Sequence, residues 1–174
     1  MLAFLFVIVA VAFRFLMAPL AFAPVAASLL FFGARAPRKH AWIPLALLVG
    51  ADVVLTKITY SYPFTADHFV TWAWYAAVLL LGGVLRNNAK PLRVGAASLA
   101  ASISFFLVSN FAVWAVWNMY PKNLSGLMLA YAAGLPFFRN QVLSDLFFTA
   151  VMFGIGALLA GREQRASATE SLSH

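Results

Sequence analysis

The chain has 174 residues, of which 64% are hydrophobic and only 10% are charged, whereas soluble globular domains have roughly 45–50% and about 25%. This composition excludes an ordinary soluble domain, and the net charge of +7 does not indicate nucleic-acid binding, because the basic residues fall in short loops between apolar runs. Cysteine is absent, which excludes disulfides, thiolate metal sites and thiol nucleophiles.

Apolar runs that reach or approach about 20 residues, the length that a helix needs to cross a bilayer, follow one another along the chain. We predict six transmembrane helices over these runs: 2–16, 22–34, 41–59, 68–85, 94–117 and 141–160. The run 124–138 is interrupted by Gly126, Gly134 and Pro136, so we predict a short re-entrant or interfacial helix there. The predicted fold class is therefore an all-α polytopic membrane protein.

The basic residues of the loops fall mainly at one end of the predicted helices. That end carries Arg35, Arg38, Lys39, Arg86, Lys90, Arg93, Arg162 and Arg165. Because loops rich in lysine and arginine remain in the cytoplasm, both termini are predicted to be cytoplasmic. We predict a single transmembrane domain over residues 1–161 in the lipid bilayer, followed by a disordered, serine-rich tail over 162–174.

Charged and polar residues within the predicted spans concentrate in the outer half of the membrane. Arg14, Asp52, Asn110 and Asp145 all fall there once the topology is fixed. An ionisable group in a bilayer costs about 2.5–3.5 kcal/mol on insertion scales, so it usually faces a partner or a water-filled cavity. We predict an intramembrane charge network of Arg14, Asp52 and Asp145. Its members either contact a ligand or form structural pairs, Arg14 with Asp52 or Arg139 with Asp145.

The stretch 109–140 adds aromatic and polar residues that a simple membrane span does not need. Trp114 and Trp117 lie three residues apart on one helical face with asparagines close by, which predicts a pocket that stacks a planar ring. The predicted ligand contacts are Asn110, Trp114, Trp117, Asn118, Tyr120, Tyr131, Arg139 and Asp52. Trp72 and Trp74 are instead predicted to belong to an aromatic belt at the membrane surface.

Patterns of catalysis and metal binding are weak in this chain. Asp52 and Asp145 lack the flanking residues of an aspartyl dyad, and Ser125 with His68 is only a minimal pattern for an intramembrane hydrolase, without an evident oxyanion loop. No multi-histidine metal site can be assembled within the membrane, and no glycine-rich phosphate loop occurs. We therefore predict a protein that is not an enzyme and uses no cofactor.

Several short motifs resemble a family of small bacterial membrane proteins of unknown function. These motifs are Phe22-Ala-Pro-Val-Ala-Ala, Phe32-Gly33-Ala34, Ala51-Asp52, Ser109-Asn110-Phe111-Ala-Val-Trp114, Tyr120-Pro121, Leu124-Ser-Gly126-Leu127, Tyr131 and Pro136-Phe137-Phe138. That family looks like the substrate-binding S components of energy-coupling-factor (ECF) vitamin transporters. The resemblance implies a six-helix S-component fold in the bacterial inner membrane, with a vitamin or related small molecule captured in an outward-facing pocket.

The same resemblance implies possible partners and a ligand. In ECF transporters a transmembrane subunit and two ATPases drive release inward, although some S components work alone. The docking surface is commonly an Ala-x-x-x-Ala motif, whose nearest match here is Ala23 and Ala27. Among vitamins the interpretation favours cobalamin, with His68 as the candidate ligand of its cobalt.

Two other functions are weighed against transport. The first is a structural subunit of a membrane assembly, resembling the MreD type, which shares this size and hydropathy. The second is the hydrolase built on Ser125 and His68. A scaffold should fill the outer half with packed side chains, whereas a binding protein should show a polar and aromatic cavity there.

Overall fold

A computed structural model describes residues 1–16 and 23–172, and these residues form an all-helical fold. The helices are α1 (Leu2–Leu16), α2 (Val25–Arg35), α3 (Trp42–Val54), α4 (Asp67–Val84), α5 (Pro91–Val116) and α6 (Leu124–Leu172). A short 3₁₀ turn, Arg38–His40, precedes α3, and a π-helical turn, Leu55–Thr59, extends it. The predicted all-α class is confirmed for the described part of the chain.

Among the described residues, three helical stretches are long and apolar enough to cross a membrane, which indicates a membrane protein. They are Arg38–Thr59, Pro91–Val116 and Leu124–Ser167. The apolar helices α1 and α2 have only 15 and 11 residues. At about 1.5 Å per residue, neither helix reaches the roughly 30 Å of a hydrocarbon core. Six complete crossings therefore stay a prediction.

The stretch 124–138 does not form a separate helix, and this corrects the prediction of a re-entrant element. α6 runs continuously from Leu124 through Pro136 to Leu172, and thus into the predicted tail. Gly134 is needed for close packing rather than for a break, because an added Cβ would lie 2.8 Å from Asn110 Cγ on α5. Proline within such a helix is tolerated where neighbouring groups satisfy the freed backbone carbonyl.

The short helix α2 lies at the centre of the bundle, where ten of its eleven residues are buried. The Phe31 ring packs edge-on against Phe6 of α1 and Phe153 of α6, with centroid distances of 4.9 and 5.2 Å. Ala27 is fully buried among these contacts. The Ala-x-x-x-Ala match of Ala23 and Ala27 therefore packs within this chain and does not form an exposed docking surface.

Arg86 holds the two basic loops together at one end of the bundle. Its Nε donates to the Gly33 carbonyl at 2.9 Å, and its Nη2 donates to the Ala36 carbonyl. The loop after α4 therefore lies against the end of α2. The first turn of α1 reaches the same end, since the Phe4 ring lies 5.8 Å from the His40 ring. The positive-inside rule predicts that this end faces the cytoplasm.

Replacing Arg86 with alanine should destabilise the protein by about 1.5–3 kcal/mol, the range for hydrogen bonds to charged groups. Its loss would leave the last carbonyls of α2 without donors. Chemical unfolding in detergent micelles measures this change. Arg93→Ala removes an exposed arginine from the start of α5 and should change the free energy of unfolding by less than about 0.5 kcal/mol. Equal stabilities of the two variants would contradict the capping role of Arg86.

Candidate functional site

A cavity of about 390 Å³, with several polar groups in a largely apolar wall, lies at the end of the bundle opposite the basic loops. It forms where α1 ends and α2 begins, beside the π-helical turn, and α4, α5 and α6 complete its walls. The side chains that give it polar character include Arg14, Asp52, Thr56, Thr71, Gln141 and Asp145. All three members of the predicted charge network therefore line one cavity.

Arg14 and Asp52 form an ion pair in one wall of the cavity. The Arg14 guanidinium contacts the Asp52 carboxylate and donates to the Tyr75 hydroxyl. Asp52 also accepts hydrogen bonds from Trp72 Nε1 at 3.0 Å and from the Tyr75 hydroxyl at 3.4 Å. Each charge thus has an opposite charge and a neutral donor or acceptor beside it. Trp72 thus belongs to this network, and its place in an aromatic belt stays a prediction.

Asp145 lies in another wall, where only neutral groups contact its carboxylate. The side chain is 2% exposed, and Ser102 Oγ donates to its Oδ2 at 2.7 Å. Gln141, one helical turn earlier, makes a second side-chain hydrogen bond. Within residues 1–16 and 23–172 no lysine or arginine forms an ion pair with Asp145. Arg139, the partner considered from sequence, is exposed.

The π-helical turn after α3 shapes one side of the cavity. Such turns insert one extra residue into a helix and often occur at functional sites. This turn carries Thr56, whose Oγ1 lies 3.0 Å from His68 Nε2. The other ring nitrogen, Nδ1, lies 3.1 Å from the Thr65 carbonyl and 3.6 Å from the Asp67 carboxylate. Both nitrogens of His68 are thus engaged by these neighbours, whereas Ser125 is exposed at the start of α6.

Trp74 and Phe105 form an aromatic wall of the cavity. Their ring centroids are 4.6 Å apart at a tilt of 51°. Trp74 is only 7% exposed, and its Nε1 donates to Ser104 Oγ on α5 at 3.0 Å. The predicted belt position of Trp74 was therefore wrong, because the indole packs between two helices and bonds to the neighbouring one.

Of the eight ligand contacts predicted from sequence, Asp52 lines the cavity, and the other seven lie on the helical hairpin of α5 and α6. Asn110 donates to the Phe106 carbonyl of its own helix at 2.8 Å. The Tyr131 hydroxyl donates to the Leu107 carbonyl at 3.0 Å. Tyr131 therefore joins the two helices, whereas the Asn110 amide bonds within α5.

The turn between α5 and α6 uses a second group of the predicted contacts. Trp114 Nε1 donates to the Pro121 carbonyl at 2.9 Å. Lys122 Nζ donates to three carbonyls at the end of α5, including that of Trp117 at 2.7 Å, and so satisfies acceptors that a helix end leaves unpaired. The remaining predicted contacts, Asn118, Tyr120 and Arg139, are exposed or half-buried. A ligand at this hairpin stays a prediction.

Several residues of the cavity were missing from the predicted ligand contacts. They are Thr56, Thr71, Trp74, Tyr75, Phe105 and Gln141, and the lining also contains His68, which the sequence predicts only as the candidate ligand of a cobalt centre. A periodic signal could have revealed part of this set. His68, Thr71 and Tyr75 are spaced by three and four residues, which places them on one face of α4. Gln141 and Asp145 have the same four-residue spacing on α6, so polar stripes at helical spacing mark the lining.

Comparisons with known proteins identify the family of this chain but do not indicate its function. No curated protein and no solved structure matches the chain. A family of unknown function, DUF6580, matches residues 1–169. Since this match covers nearly the whole sequence, the chain belongs to the DUF6580 family of unknown function.

Proposed function

We propose that this protein is a membrane-embedded substrate-binding protein, similar to an S component, that captures a vitamin or related small molecule for uptake. The cavity that brings Arg14, Asp52 and Asp145 together is the observation that carries this proposal. Small-molecule sites are typically concave, with volumes of about 300–1,000 Å³ and a few polar groups on a largely apolar wall. At about 390 Å³, with Trp74 and Phe105 beside its polar groups, the cavity fits this description.

The position of the cavity supports capture from outside the cell. It lies at the end of the bundle away from the loops that carry Arg38 and Arg86, and the positive-inside rule places those loops in the cytoplasm. Release to the cytoplasm would use a separate energy source, because the chain has no phosphate-binding loop. An ECF transmembrane subunit with its ATPases would supply it, docking at a surface other than Ala27, which is buried.

The size of the cavity favours a compact ligand. A volume of about 390 Å³ falls near the lower limit for small-molecule pockets, below what a corrinoid with its nucleotide loop would occupy. Cobalt ligation by His68 would also require its Nε2 to leave Thr56. We therefore favour a vitamin or related molecule smaller than cobalamin.

The two alternative functions receive less support from the geometry. A structural subunit of the MreD type would fill the outer half with packed side chains, whereas this region holds the cavity. A hydrolase would need His68 beside Ser125, but the imidazole bonds to Thr56 and Thr65. Ligand binding is the function that accounts for a polar space inside an apolar bundle.

Filling part of the cavity should weaken ligand binding. Thr71 lines it from α4 and is half-buried, so Thr71→Phe would place a ring in the space a ligand needs. In a thermal-shift screen of purified protein against vitamins, we expect at least one ligand to bind at micromolar concentration. Thr71→Phe should lower the affinity for that ligand by about tenfold or more, the loss expected when a well-packed site is overfilled.

Ala73→Phe is the matched control, because it adds a ring of the same size to an exposed position of the same helix. It should bind as the natural protein does. Trp114→Phe distinguishes binding in the cavity from binding at the hairpin site that the sequence predicts. Only the binding of a ligand stacked on the hairpin should be lost in this variant. No binding of any vitamin at micromolar concentration would refute the vitamin assignment.

A further inference from the structure

The charged side chains of the cavity do not all have an oppositely charged partner. Arg14 is the single lysine or arginine in its described lining, and it is already paired with Asp52. Asp67 accepts from the Thr65 hydroxyl and lies beside His68. Among the described residues Asp145 has neutral donors only, Ser102 and Gln141. Asp145 is therefore the buried carboxylate of the described lining that has neither an arginine nor an imidazole beside it.

A carboxylate in this setting suits a cationic ligand. Burying a charge in a membrane is unfavourable unless a partner compensates it, and such groups commonly mark substrate sites. The hydrogen bonds from Ser102 and Gln141 orient the Asp145 carboxylate but bring no positive charge. A ligand that carries one would complete the pair inside the cavity.

The aromatic wall of Trp74 and Phe105 also favours a positively charged ligand. The faces of Trp and Phe rings attract cations, especially where water is excluded. Trp74 and Phe105 line the cavity together with Asp145. Arg14 is the single lysine or arginine of the described lining that an anionic ligand could bind, and taking Arg14 from Asp52 would leave that buried carboxylate without its opposite charge.

We propose that the ligand is an organic cation, with a positively charged nitrogen bound by Asp145 and a planar apolar part against Trp74 and Phe105. This inference rests on the proposed function, because it names the ligand class of the same cavity. The two proposals fail under different results. If the cavity binds a neutral or anionic ligand, the cation proposal is wrong but the proposed substrate-binding function still holds.

The charge preference can be measured on the natural protein with three probes of similar size. Benzyltrimethylammonium is cationic, benzyl alcohol is neutral and benzoate is anionic. Calorimetric titration of the full chain in non-ionic detergent, with protein-free micelles subtracted, should show the cation binding about tenfold more tightly than either of the others, as expected for a charge-assisted contact beside aromatic rings. Equal or tighter binding of benzyl alcohol or benzoate would overturn the proposal, and so would failure of the cation to bind.

Asp145→Asn then tests the residue that carries the preference. Asparagine keeps the shape of the side chain and an oxygen that accepts from Ser102. The affinity for benzyltrimethylammonium should fall by about tenfold, to that of benzyl alcohol, while the affinity for benzyl alcohol stays unchanged. Glu163→Gln removes a carboxylate from an exposed position of the same helix and should leave both affinities unchanged. A cation preference that survives in Asp145→Asn would refute the role of Asp145, and if that variant does not fold, the probe comparison on the natural protein still decides the ligand class.

Discussion

Gly82→Ala should strongly destabilise the bundle, although it adds only one methyl group. A Cβ at Gly82 of α4 would lie 2.9 Å from Leu30 Cα of α2 and closer still to the Leu30 carbonyl oxygen. Both atoms belong to backbone, so no side chain can rotate to relieve the overlap and the helices would have to separate. Overpacking commonly costs 1–3 kcal/mol, and here we expect a loss of about 3 kcal/mol or more in the free energy of unfolding.

The neighbouring glycine provides the matched control for this prediction. A Cβ at Gly83 meets no atom within 4 Å, so Gly83→Ala should change stability by less than about 0.5 kcal/mol. Gly33→Ala tests the same contact from α2, because its Cβ would lie 3.0 Å from Gly82 Cα. Chemical unfolding in detergent micelles compares the three variants. If the Gly82→Ala variant is as stable as the Gly83→Ala variant, α2 and α4 do not pack this closely.

The glycine contact illustrates a limit of sequence analysis. Small residues allow close helix approach in membranes, but Gly82 and Gly83 are adjacent and identical in sequence. Only the rotation of α4 about its axis decides that Gly82 faces Leu30 while Gly83 faces open space. That rotation depends on the packing of the whole bundle, which a single segment of sequence does not contain.

The charged residues were more informative than the aromatic ones. Counting residues along each predicted span places Arg14, Asp52 and Asp145 in the same half of the membrane, and all three line one cavity. Burying a charge is so unfavourable that such residues have few acceptable positions, which makes depth alone a useful guide.

The stretch 109–140 was read as a pocket because it is rich in polar groups. In the structure Asn110 bonds to Phe106, Tyr131 bonds to Leu107, and Trp114 bonds to Pro121. These acceptors are backbone carbonyls of the hairpin itself, so a polar side chain in a hairpin does not by itself require a ligand. Sequence shows that a polar group needs a partner, but it does not show whether the partner is backbone or ligand.

Arg14→Met should be the second strongly destabilising substitution. Removing the guanidinium would leave the Asp52 carboxylate, which is 6% exposed, without an opposite charge. It would also remove a donor from the Tyr75 hydroxyl. Breaking a buried ion pair from one side typically costs about 3–5 kcal/mol, because the remaining charge stays buried. We expect a loss of this size in the free energy of unfolding, and Arg139→Met, at an exposed position, should change it by less than about 0.5 kcal/mol.

A double-mutant cycle with Asp52→Asn identifies the cause of that loss. Asparagine removes the charge but keeps an oxygen that accepts from Trp72 Nε1. Asp52→Asn alone should destabilise the protein, because it leaves Arg14 unpaired. The double variant should be more stable than the sum of the two single effects predicts, by about 1–3 kcal/mol, since neither charge remains. Additive effects would instead mean that Arg14 and Asp52 contribute independently, and that the wall formed by Tyr75 and Trp72 does not depend on their pairing.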